Sequence, residues 1–366
     1  MTTPTPLEDE LRVLIAADGP LSVARYMELC LAHPVHGYYV TRDPFGVRGD
    51  FVTAPEVSQM FGELIGLWAA AVWRAIGTPA PLTLAELGPG RGTLMVDALR
   101  AAKLVPEFRN AASVALIETS PVLRAQQEVA LRNGDVAVDW YADLAEVPDG
   151  PLILIANEFF DALPVHQAVK TLSGWHDRMV GLDADGRLAF ALNPAPIPSF
   201  ESILPQRLRN APPGAVFEWR SDRVINEICR RILAFGGVAL IIDYGHSEMG
   251  LGDTLQAVRA HAHVDPLERP GDSDLTAHVD FSSLAGAARH TGVKVFGPLT
   301  QRDFLARLGI EARAGRLKAN ATSAQAADVD AALARLVGTR RNEMGALFKA
   351  LALTPPALQA LPAFDS

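Results

Sequence analysis

The chain has 366 residues, 49% apolar and 20% charged, which suits a globular enzyme of one large or two ordinary domains. A formal net charge of −9 argues against nucleic acid as a partner, because phosphates call for a basic face. The two cysteines, Cys30 and Cys229, have no metal-ligand spacing, so neither a zinc site nor a disulfide scaffold is expected and a reducing compartment fits.

The opening MTTPTPLEDELRVLI lacks the basic stretch of a signal peptide and the arginines of a transit peptide. No window approaches the ~18 uninterrupted apolar residues of a membrane span. The expectation is a bacterial cytoplasmic protein without membrane insertion. Residues 7–30 predict two short amphipathic helices broken at Gly19-Pro20, and 33–55 an ordered loop rich in turn residues and aromatics. Helix returns over 56–76. Strand and helix signals then alternate: strands at 82–87, 114–118, 136–141, 152–157 and 238–243, with helices at 93–102, 121–132 and 222–234 between them. Such a βαβα rhythm with apolar strands predicts a doubly wound, mostly parallel sheet. An insertion after the fourth strand, about 167–200, holds a hairpin turning at Asp185-Gly186. A second, about 246–280, is rich in histidine, aspartate and glycine. The tail from Gln301 reads as mostly helical, with 347–353 as a closing strand.

The first strand runs into ELGPGRGTLMVDALR (86–100), with Gly88, Gly90 and Gly92 at alternate positions. A strand, a glycine turn and a helix N-terminus together offer backbone N–H groups to a ligand that approaches closely. Dinucleotide sites want G-x-G-x-x-G, and Thr93 stands where the last glycine belongs. No lysine follows, which removes the phosphate-loop reading. An acid before the first glycine, Glu86, resembles motif I of class I methyltransferases, which hold S-adenosyl-L-methionine. Glu118 ends the second strand, where a ribose diol lies in such folds; the competing reading is an acid capping the helix at Pro121.

The fourth strand delivers ANEFFDALP (156–164) to the carboxyl edge of the sheet. Asn157 and the aromatic Phe160 loosely resemble the Asn/Asp-Pro-Pro-aromatic loop of amine-directed methyltransferases. A guanidinium acceptor arrives charged, since its pKa exceeds ~12. A bidentate carboxylate would fix its plane and draw positive charge to one nitrogen, which favours Glu158 and Asp161 as orienting groups.

Five stretches carry a fuller resemblance: 37–68, 86–100, 156–167, 243–261 and 274–281. Together they are similar, in order and over nearly the whole chain, to the MidA-like family. The resemblance implies a class I, Rossmann-like methyltransferase fold with a helical segment over 1–80 and a core over 81–366. It implies S-adenosyl-L-methionine as cofactor, S-adenosyl-L-homocysteine as product, and an arginine of a respiratory complex I core subunit as acceptor. Cofactor contacts are then expected at Glu86, Gly88, Gly90, Gly92 and Glu118, with Asp50, Phe51, Thr53 and Ser58 in a segment folding over the ligand. Catalysis falls to Asn157, Glu158 and Asp161, and substrate contacts to Phe160, Asp243, Tyr244, His278 and Asp280. No metal is expected, because the spacing of His261, His278 and Asp280 fits no recognised site. A cofactor-binding assembly chaperone and, more distantly, a nicotinamide oxidoreductase are the rival readings; monomer and homodimer both stay open.

Overall fold

The structure, a computed structural model, describes residues 4–41, 52–132, 134, 136–340 and 343–365. They fall into two units that interleave along the chain.

The larger unit covers 52–160, 222–247 and 279–366 and is built on one sheet. Its main strands are β1 (Leu82–Leu87), β2 (Ala112–Ile117), β3 (Val138–Tyr141), β4 (Leu152–Asn157), β5 (Gly237–His246), β6 (Lys294–Thr300) and β7 (Phe348–Thr354), and the short Val279–Asp280 pairs parallel to the end of β5. The spatial order is β3-β2-β1-β4-β5-β7-β6. The first five run parallel, and β7 is antiparallel to both β5 and β6. This is the doubly wound, mostly parallel α/β fold of class I methyltransferases. All six side chains of β4 are buried, as a strand covered by helices on both faces requires. Strand order reverses between β1 and β4, with Leu87 opposite Ala156, so the loops leaving both strands emerge side by side.

Helices α1 (Gln59–Ala75), α2 (Thr93–Ala102), α3 (Pro121–Leu131), α4 (Arg223–Phe235) and α5 (Phe281–Thr291) flank this sheet. The helix expected over 56–76 is broken at Ser58, whose extended backbone separates Ala54–Val57 from α1 and whose Oγ caps Met60 N–H. Three further helices, Gln301–Arg307, Ile310–Lys318 and Ser323–Val337, confirm the helical tail. Strand β6 went unforeseen because KVFGPLT contains a proline and a glycine, the residues that normally mark a strand's end.

The smaller unit covers residues up to 51 together with 161–221 and 248–278. The N-terminal segment and both insertions therefore share one body, whereas the sequence boundary was placed as a single cut after residue 80. Helices Pro6–Asp18 and Val23–Ala32 meet strands of both insertions in one core, where Leu7, Leu11, Tyr26 and Met27 pack with Val165, Val180, Ala257 and Leu275. The first insertion is an antiparallel sheet of Val165–Thr171, Gly174–Leu182, Leu188–Leu192 and Val216–Arg220, joined at its edge by Leu21–Ser22. Arg220 clamps the unit's chain ends. Its guanidinium donates to the carbonyls of Asp161, Leu163, Ala277 and His278 at 2.6–3.2 Å.

Helices α1 and α2 touch backbone to backbone. A Cβ on Gly62 would lie 2.6 Å from Asp97 Cβ, and one on Gly66 only 2.4 Å from the Ala98 carbonyl. Gly66→Ala should gain at most ~1 kcal/mol in helix propensity but lose roughly 1–3 kcal/mol to overpacking against main chain that cannot swing away. A lower thermal midpoint is expected; an unchanged one would show that the two helices part freely.

Candidate functional site

The turn after β1 is possible only with glycine. Gly88, Gly90 and Gly92 have φ of 59°, 55° and 82°, all left-handed, and Gly92 N-caps α2. A Cβ on Gly88 would sit 2.9 Å from Phe159 Cδ2, so the glycine also admits the loop after β4. Gly88 N–H donates to the Ile117 carbonyl, tying the turn to the end of β2.

Two carboxyl groups face this turn. Glu86 is 3% exposed, and its Oε2 has no hydrogen-bond partner among the described residues. Burial, and then the charge of Glu118, push the Glu86 carboxyl up to about 8. Burial also raises Glu118, against the opposing bonds from Ser120 N–H to Oε1 (2.7 Å) and Gln127 Nε2 to Oε2 (3.1 Å). Arg91 meets Glu56 at 3.7 Å, and Thr93 Oγ1 donates to the other oxygen of Glu56 at 2.5 Å. The turn is thereby joined to the short helix Ala54–Val57.

At the end of β4, Glu158 has a left-handed backbone, φ 50°, unusual for a residue with a side chain. Its Oε1 accepts from Ala54 N–H at 2.8 Å and from Asn157 Nδ2 at 3.1 Å, and its own N–H donates to the Ile242 carbonyl. Asn157 is buried, with Oδ1 unpartnered among the described residues. The loop is gripped from below by Asp243, which is fully buried. Its Oδ2 accepts from Phe159 N–H and Phe160 N–H at 3.2 and 2.9 Å, and its Oδ1 from Tyr244 N–H at 2.8 Å.

The other expected site residues take plainer positions. Phe160 is buried, edge-on to Phe159, and Tyr244 packs on Phe348. Thr53 is buried and N-caps Ala54–Val57 without a side-chain bond. Asp280 caps α5, accepting from the N–H and hydroxyl of both Ser282 and Ser283. Asp161 and His278 belong to the smaller unit, where their carbonyls are held by Arg220 and His278 N–H donates to Thr254 Oγ1. Asp50 and Phe51 lie outside the described residues.

A left-handed glycine turn at a helix N-terminus, with buried oxygens of Glu86 and Asn157 that have no donor among the described residues, fits a small polar cofactor such as an adenosyl amino acid. The comparisons agree with that geometry. Residues 64–299 match the S-adenosyl-L-methionine-dependent methyltransferase family. The chain belongs to this family. A crystal structure of a protein from Burkholderia thailandensis bound to S-adenosyl-homocysteine is similar, with a TM-score of 0.85 and 30% identity over 100% of this chain and 97% of that one. Protein arginine methyltransferase NDUFAF7, mitochondrial, of Homo sapiens is 39% identical over 84% of this chain and 74% of its own length. The Caenorhabditis elegans NDUFAF7 homolog is 37% identical over 96% and 86%. The methyltransferase therefore uses S-adenosyl-L-methionine. The expected cytoplasmic location is corrected by the same relatives, which are named as mitochondrial proteins. No described helix is long and apolar enough to cross a membrane.

Sequence reasoning missed Gln127, which braces the glycine turn; for Arg91 it left Glu56 and Glu158 open as partners, and the structure pairs Arg91 with Glu56. Gln127 left a signal: it stands between Leu123 and Leu131 in the buried stripe of α3, where an apolar residue is the rule. The bond from Thr93 to Glu56 left none, because the two residues are remote in sequence.

The Glu86 carboxyl gives a pH dependence with a definite sign. Folded protein holds a proton that the unfolded chain releases, so stability falls as pH rises from the ordinary carboxylate range toward 8. Glu86→Gln is neutral throughout and escapes that loss. Its thermal midpoint should rise relative to wild type between about pH 5 and pH 8, and the gap should level off above that. A gap independent of pH would mean that Glu86 is ionised across the whole range.

Proposed function

We propose that the enzyme methylates an arginine side chain of a protein, and that the acceptor is a core subunit of respiratory complex I. Support for arginine comes from the names of the relatives and from the chemistry of Glu158. That carboxylate, pinned at a strained backbone position beside Asn157, is the observation that carries the reading. Complex I rests on the family resemblance in the sequence.

On this reading the backbone of Gly88–Gly92 and the α2 N-terminus face the amino-acid part of the cofactor, and Glu118 faces its ribose. Bound S-adenosyl-L-methionine supplies an electrophilic methyl group on a sulfonium centre. The protein's part is positioning, since transfer is an in-line displacement. With Oε1 of Glu158 taken by Ala54 N–H and Asn157 Nδ2, it is the Oε2 side that accepts from the guanidinium and concentrates positive charge on the held nitrogen. The nitrogen left facing the methyl group becomes the better nucleophile. The Asn157 carbonyl oxygen, buried and in need of a donor, aligns an N–H of that group. Asp243 keeps the loop in place by accepting from Phe159 N–H and Phe160 N–H.

Single-turnover transfer to a purified complex I core subunit, read by methyl-arginine mass spectrometry, tests this. Glu158→Gln should bind S-adenosyl-L-homocysteine as wild type does yet transfer on the order of 100-fold more slowly or worse, as losing one preorganised polar group at a reacting centre does elsewhere. Undiminished transfer would remove Glu158 from the acceptor site. Methyl-lysine in place of methyl-arginine would overturn the acceptor chemistry itself.

A further inference from the structure

Gln127 is fully buried at the centre of the α3 stripe. An amide in such a place costs free energy unless its donors and its oxygen are all paired. All are. Nε2 donates to the Gly90 carbonyl at 2.7 Å and to Glu118 Oε2 at 3.1 Å, and Oε1 accepts from Trp140 Nε1 at 2.9 Å. An indole nitrogen can only donate, so the amide oxygen must face Trp140 and the NH2 must face the turn and the acid. Gln127 thereby joins the turn after β1, the acid after β2 and strand β3, which the chain separates by dozens of residues. Simple packing does not explain it, since a leucine would fill the stripe as its neighbours Leu123 and Leu131 do.

We propose that Gln127 is a positioning residue for the cofactor: it locks the Glu118 carboxylate to the Gly90 carbonyl, and this fixed pair sets how sharply the enzyme recognises the ribose hydroxyls. The proposal rests on the reading of Glu118 as the ribose acid. Backbone N–H groups of Ser120 and Thr119 hold Glu118 locally, Ser120 on Oε1, and Gln127 is the side chain that reaches Oε2. Without the amide Oε2 loses its tie to the glycine turn, and the carboxylate is left to its local backbone donors. The Gly90 carbonyl, left without its donor, no longer holds the glycine turn at its left-handed φ of 55° against the acid. The carboxylate still carries its charge; what it loses is the direction of its Oε2 lone pairs, and direction is what a diol reads.

Calorimetric titration of S-adenosyl-L-homocysteine and of its 2′-deoxyribose analogue into the full-length protein separates the outcomes. Wild type should bind the parent about tenfold or more tightly than the analogue, as a hydrogen bond to a charged group implies. Gln127→Met should shrink that preference to about threefold or less, with most of the loss falling on the parent compound. An unchanged preference overturns the proposal however far both affinities or the thermal midpoint fall, because a residue that only packs weakens both ligands alike. No preference in the wild type overturns instead the ribose reading of Glu118, and the proposal with it. If Gln127→Met does not fold, Trp140→Phe removes only the donor that sets the amide's orientation and is read by the same ratio. Gln127→Glu keeps size and oxygen but sets a second carboxyl against Glu118, and it should lose the preference as Gln127→Met does.

Discussion

Everything at the site depends on one constraint of the sheet, that β1 and β4 are neighbours whose chains leave in opposite directions. Parallel neighbours end at the same edge, and where the order reverses no crossover helix covers that edge. The glycine turn and the loop after Asn157 therefore open side by side. Close approach follows from it: Gly88 lies so near Phe159 that a single methyl group would collide with the ring. The segment 53–58 reaches both loops, through Glu56 to Arg91 and Thr93 and through Ala54 N–H to Glu158. The turn after β1 and the loop after β4 are thus braced by the same few residues.

Buried carboxyl groups divide the remaining work according to their partners. Asp243 takes three backbone N–H bonds and holds a loop. Glu118 takes bonds from Ser120 and Gln127, which oppose the upward pull of burial. Glu86 has one oxygen with no described donor and lies beside another acid, so its carboxyl is driven to about 8. The same chemical group is therefore a structural clasp, a carboxylate bonded by two neighbours and a carboxyl that keeps its proton to higher pH, and the number of hydrogen bonds each receives goes with that difference.

The smaller unit is assembled from three separate stretches of chain, and its economy lies in where it closes. Arg220 binds the carbonyls of Asp161 and Leu163, where the chain enters the first insertion, and of Ala277 and His278, where it leaves the second. Glu218, two residues away, accepts from Gln167 and from both the N–H and hydroxyl of Thr254, stitching the insertions again. A guanidinium with five donors suits this task, because it can bond several carbonyls at once.

By itself the sequence determined the sheet and its chemistry. Apolar runs of parallel-strand type, the ELGPGRG turn and the polar end of LILIAN are local signals, readable because burial on both faces and left-handed backbone demand particular residues at those positions. The bounds 82–87, 93–102 and 152–157 agree with the observed elements for that reason. The MidA-like motifs extended this to the methyltransferase family. Only the tertiary structure decided what depends on partners distant in the chain. It revealed β6 despite its proline and glycine, gathered the N-terminal helices and both insertions into one body, and turned Asp243 into a clasp and Asp280 into a helix cap. It also paired Arg91 with Glu56 and gave Gln127 its three partners. Hydrogen bonds between remote segments leave no period or spacing in a sequence, so a buried polar side chain acquires its meaning only when the fold brings its partners within reach.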